Sequence, residues 1–78
     1  MCKYKTDVVE LKKVMIEQGI DTITELSEIS GVDRNTLSKI LSGEIQPSAG
    51  AMCKLVYALQ MQPERAGRIF FTLNLRKS

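Results

Sequence analysis

The stretch Thr22–Gly43, TITELSEISGVDRNTLSKILSG, constrains the fold more than any other part of the chain. Leu26, Val32, Leu37 and Ile40 carry its apolar pattern, and Gly31 stands where a first helix has to stop. Thr22 and Glu25 have the spacing of a capping box, in which each side chain satisfies the other's backbone N–H. Glycine at 31 can take the left-handed conformation that ends a helix without a Cβ clash. Asp33 then caps a second helix that runs to about Ser42. Two capped helices with so short a connection have to cross at a steep angle, which makes residues 22–43 a helix-turn-helix.

The flanking segments are helical as well. A first helix is predicted from about Asp7 to Gln18, capped by Thr6 or Asp7, with Val8, Leu11, Val14 and Met15 on its buried side. Gly19 ends it and Ile20 packs back under the turn. Pro47-Ser48 closes an irregular loop and caps a fourth helix, roughly Ser48 to Leu59, which buries Met52, Leu55, Val56 and Leu59. Gln62-Pro63 opens a fifth, proline being well placed at a first helical position. The end of the chain has two readings. Ala66, Ile69, Phe70 and Leu73 share one helix face, yet Ile69, Phe71, Leu73 and Leu75 alternate as in a strand, so residues 71–76 stay open between the two. More apolar side chains gather there than so small a core can bury. The tail 69–76 is therefore expected to supply a dimer surface through Phe71, Leu73 and Leu75; the alternative is that they cap the monomer's own core.

Composition narrows the function classes. Seventy-eight residues are expected to form one domain, 1–78, and 44% hydrophobic content with only 5% aromatics suits helices packed by aliphatic side chains. No segment resembles a signal peptide or a membrane span, so a soluble, cytoplasmic protein with no membrane association is expected. Cys2 and Cys53 are too few for a disulfide framework, and without histidine they make no zinc site. No metal or other cofactor is expected. Cys53, beside Met52 and Leu55, reads as a buried thiol. Enzymatic function is disfavoured: the chain has no histidine, no nucleophile paired with a base and no phosphate-cradling glycine loop. The net charge of +2 is small, and its excess lies late, where Arg65, Arg68, Arg76 and Lys77 face only Glu64. That segment reads equally as a phosphate contact or a solvated face.

The second motif helix, about 33–42, carries the functional signal. With Leu37, Ile40 and Leu41 turned to the core, the opposite face holds Asn35, Lys39 and Ser42, flanked by Arg34, Ser38 and Thr36. None of these is acidic, and all suit a major groove. In the docked geometry the first turn meets base edges, so Arg34 can pair with guanine and Asn35 with adenine, while Ser38 and Lys39 sit one turn deeper. Thr22, Ile23 and Thr24 place amides at a helix N-terminus where a phosphate can sit, and Thr36, Ser42, Gly43 and Gln46 are further phosphate contacts. Glu44 opposes an anion there. Few cations at this face imply a modest salt slope and weak binding by one monomer. A homodimer would place two such helices about 34–36 Å apart on a near-palindromic operator.

The sequence resembles the Cro/phage-repressor-like (XRE-type) helix-turn-helix regulators. The matching residues are Leu26, Gly31, Val32, Leu37 and Ile40, then Gly43, Pro47-Ser48 and Ala58-Leu59, within a helical layout covering about residues 7–71. The resemblance implies an all-α, compact five-helix lambda-repressor-like domain with a possible short C-terminal strand or helix extension. It implies a repressor-like regulator of double-stranded DNA, of phage or prophage type, with base-reading slots at Arg34, Asn35, Ser38 and Lys39. Four positions depart from the family pattern. Ser27 replaces a small alanine, and Ser30 replaces an apolar residue whose packing Ile29 is expected to take over. Ile23 replaces a phosphate-touching glutamine, and Glu44 a basic residue. The rival reading is an antitoxin-like or adaptor module that uses the same fold to bind a protein partner.

Overall fold

Four of the five helices begin at the side chain that the sequence offers as a cap. The Asp7 carboxylate accepts from the Glu10 N–H at 3.2 Å and opens α1 (Val8–Glu17). The Thr22 hydroxyl accepts from the Glu25 N–H at 3.1 Å and opens α2 (Ile23–Ser30). Asp33 accepts from the Asn35 and Thr36 N–H groups at 2.9 and 3.3 Å and opens α3 (Arg34–Leu41). Ser48 accepts from the Ala51 N–H at 3.2 Å and opens α4 (Ala49–Leu59). The fifth, α5 (Pro63–Phe70), starts on its proline, with no side-chain cap bond from Gln62. The computed structural model describes residues 4–73, with the backbone alone at Leu73. Cys2, Leu75, Arg76, Lys77 and the Leu73 side chain lie outside the described residues.

The capping box at α2 closes differently from the sequence expectation. Glu25 Oε1 accepts from the Asp21 N–H at 3.0 Å, not from that of Thr22. The glutamate side chain is long enough to reach one residue further upstream, and it still satisfies an amide ahead of the helix. At the other end Gly31 has φ +78°, the left-handed value the turn requires.

The core forms where the five helices meet. Leu11, Leu26, Leu37, Ile40, Leu55 and Leu59 are fully buried, and Ile69 and Phe70 of α5 close one side. Each such side chain contributes about 1.5–3 kcal/mol through removal from water. The helices α2 and α3 pack on each other, α2 also packs on α4, and α1 packs on α3 and α5. Ile20 is buried under the α1–α2 turn, as its position predicts. Val8, Met52 and Val56 are half-buried at the margin rather than inside.

As far as Leu73 the C-terminal ambiguity resolves in favour of a strand, by a change of conformation after Phe70; residues 74–76 lie outside the described residues. Ala66, Ile69 and Phe70 form a buried helix face, and the chain then turns into β2 (Thr72–Leu73). This strand pairs antiparallel with β1 (Tyr4–Lys5), Tyr4 opposite Leu73 and Lys5 opposite Thr72. The Asp7 N–H donates to the Ile69 carbonyl at 2.7 Å, fastening the start of α1 to the end of α5. Five helices and this two-residue ladder constitute an all-α fold.

Two packing expectations are corrected. Cys53 is exposed, not buried, because α4 turns Leu55 and Leu59 inward and leaves Cys53 and Lys54 outside. Ile29 is also exposed and does not replace an apolar residue at position 30. None is needed there: the Ser30 hydroxyl donates to the Leu26 carbonyl at 2.6 Å and accepts from the Val32 N–H at 3.2 Å. Ser27 is accommodated likewise, its hydroxyl donating to the Val32 carbonyl at 2.7 Å.

Candidate nucleic-acid interface

The α3 helix presents two chemically distinct faces. Leu37, Ile40 and Leu41 hold it to the core, while Arg34, Asn35, Ser38 and Lys39 are exposed together on the other side. Arg34 and Lys39 form no ion pair among the described residues, so both charges are available to an anion or a base edge. Asp33 is the acid nearest in sequence, and its carboxylate is engaged by the first-turn amides of α3. A carboxylate held there also favours the positive end of the helix dipole. The face offered outward is thus cationic and polar.

The residues expected at phosphates divide into two groups. Thr22 and Thr24 are exposed and Ile23 is half-buried at the start of α2, where the first-turn amides have no intrahelical acceptor. The Thr22 oxygen accepts from Glu25, which leaves its own proton free to donate. Thr36 is half-buried on the flank of α3.

The second group already has hydrogen-bond partners within the protein. The Ser42 hydroxyl lies 3.0 Å from the Lys39 carbonyl and 3.3 Å from the Glu44 carboxylate, so its one proton already has acceptors. The Gly43 N–H donates to the Ile40 carbonyl at 3.1 Å, ending α3 with a φ of +85° at the glycine. Gln46 is the clearest case. Its amide nitrogen donates to the Phe70 carbonyl at 2.6 Å, and its oxygen accepts from the Thr6 hydroxyl at 2.8 Å. It ties the loop after α3 to both ends of the fold.

The basic C-terminal excess is likewise structural in part. Arg65 grips Glu17 of α1 with two parallel bonds of 2.8 and 3.0 Å and stands 3.9 Å from Glu10. The hydrogen bonds from Arg65 hold the Glu17 carboxyl below the usual carboxylate range. This pair clamps α5 to α1.

An element that the sequence left unassigned also reaches the interface. Lys12 and Ile16 of α1 line an open groove with Ser38 of α3, its C-cap Ser42, and Asp21 and Ile23 at the start of α2. The only sequence signal was that Lys12 lies outside the apolar stripe of its helix, which is true of most surface lysines.

Comparison with known proteins agrees with this geometry. The family model for the Cro/C1-type HTH DNA-binding domain matches residues 10–64, from within α1 to the first turn of α5. Among solved structures, the restriction-modification controller protein C.AhdI from Aeromonas hydrophila is similar, with a TM-score of 0.67 and 24% sequence identity. The match covers 76% of this chain and 88% of that one, and it establishes the shared fold. No curated protein matches the chain by sequence. With the family match spanning all four helices that build and support the motif, the chain belongs to the Cro/C1-type helix-turn-helix DNA-binding domains.

Proposed function

We infer that the protein is a sequence-specific transcriptional regulator of the repressor type, reading the major groove of double-stranded DNA with the helix at 33–42. The observation that carries this reading is the outward face of α3, where Arg34, Asn35, Ser38 and Lys39 stand exposed and none of the four is acidic. Arg34 to guanine and Asn35 to adenine would each contribute about 1–3 kcal/mol of discrimination against a wrong base. Exposed Thr22 and Thr24, with the amides of Ile23 and Thr24, are suited to the flanking phosphates, and Thr36 to the opposite strand.

A homodimer on a near-palindromic operator completes the reading. Its support is an apolar surface that a soluble monomer has little reason to expose. Phe71 is 51% exposed and meets Tyr4 edge to face at a ring separation of 5.6 Å. The surface continues over Pro63 and Met52 to Tyr57, which is 87% exposed. Leu73 and Leu75 are proposed to extend it.

The same apolar surface, with Glu25, Glu28 and Glu44 around the motif, favours the rival reading of an antitoxin-like or adaptor module. One experiment separates the two: selection of binding sites from random duplex DNA, run beside Arg34→Ala/Asn35→Ala. A palindromic motif that the double variant loses, with its helicity intact by circular dichroism, supports the dimeric reader. If no motif is enriched even at low salt, the DNA-reading proposal fails and a protein partner takes its place. Analytical ultracentrifugation showing only monomer, even with operator present, would remove the dimer.

A further inference from the structure

We propose that Lys12 is a DNA-phosphate contact, and that the groove between α1, the start of α2 and the end of α3 seats the sugar-phosphate strand beside the recognition helix. This rests on α3 being the base-reading element. A helix about 10–12 Å across nearly fills a major groove about 12 Å wide, so whatever flanks it meets the DNA backbone. Ser38 of α3 and its C-cap Ser42 line the groove together with Lys12 and Ile16, one turn apart on α1. The groove is thus continuous with the reading face.

Its chemistry fits a sugar-phosphate strand. Lys12 is exposed and makes no ion pair among the described residues, whereas its neighbour Lys13 is held by Glu10 at 3.1 Å. Its ammonium is therefore available to a phosphate, and its aliphatic stem can lie along neighbouring apolar surface. Ile16, 70% exposed, offers that surface to deoxyribose. Asp21 lines the same groove with the opposite charge and works against an anion. One cation and one acid in a single groove give two substitutions with opposite effects.

The test measures affinity over a salt series for wild type, Lys12→Gln, Lys12→Arg, Lys13→Gln and Asp21→Asn, on the selected site and on a scrambled duplex. One phosphate contact adds about 0.9 to the magnitude of the salt slope. Lys12→Gln should lower the slope by that amount and weaken binding about eightfold at 0.1 M salt, equally on both duplexes. Lys12→Arg should restore the slope, Lys13→Gln should leave it unchanged, and Asp21→Asn should tighten binding. A selected site bound by Lys12→Gln with wild-type affinity and slope overturns the Lys12 assignment alone. Failure of the wild type to select any site overturns the base-reading assignment and this one with it.

Discussion

Replacing Gln46 with alanine tests whether this residue serves the fold or the DNA. Its amide bridges the Thr6 hydroxyl at 2.8 Å and the Phe70 carbonyl at 2.6 Å, joining segments 40 and 24 residues away. Thr6 is 6% exposed and is the one buried polar side chain among the described residues, and Phe70 is fully buried. Each net hydrogen bond contributes about 1 kcal/mol, and a buried group left unpaired costs about 1–3 kcal/mol. Gln46 itself is exposed, so water can enter the vacated space and hold the loss near the low end. The expected cost is about 2 kcal/mol. For a domain this small that is a fall of roughly 8–16 °C in Tm, out of a total stability of about 4–12 kcal/mol. Urea denaturation, with m unchanged, gives the number directly. A double-mutant cycle with Thr6→Val should return a coupling of about 1 kcal/mol. A loss below about 0.5 kcal/mol, accompanied by weaker DNA binding, would refute the structural role and restore the phosphate contact expected from sequence.

Three further outcomes follow from local features. Asp33→Ala removes the acceptor of two first-turn amides of α3 and should cost about 1 kcal/mol in chemical denaturation. Gln60 ends α4 with φ +53°, so Gln60→Gly relieves a left-handed strain of about 1–2 kcal/mol against an entropic cost of about 0.5–1 kcal/mol; a Tm rise of a few degrees is expected. Because Arg65 lowers the Glu17 pKa in the fold, that pair stabilises above the unfolded value of about 4.3 and its contribution is lost as pH falls through the folded value. Thermal melts of Glu17→Gln should therefore show a shallower acid decline than wild type below that pH, and equal decline would remove the clamp's contribution.

What was legible in the sequence is what short-range chemistry controls. The caps at Asp7, Thr22, Asp33 and Ser48 each bind an amide two or three residues on, and Gly31 ends α2 within its own turn. Leu37, Ile40 and Leu41 turn α3 to the core by helical period alone, which also fixes Arg34, Asn35, Ser38 and Lys39 as the outward face. Tertiary structure decided what depends on how separate helices are placed. Gln46 was read as a free loop donor because nothing nearby in sequence shows that Thr6 and the end of α5 come to meet it. Arg65 was read within a basic tail, yet it answers a glutamate 48 residues earlier. The sides of α4 and α2 left outside put Cys53 and Ile29 in solvent despite apolar neighbours. Lys12 acquires a place beside α3 only because α1 packs across it. Periodicity and capping act within about four residues, where the backbone geometry is common to every helix. Contacts across dozens of residues follow from packing the whole core, which no local pattern encodes.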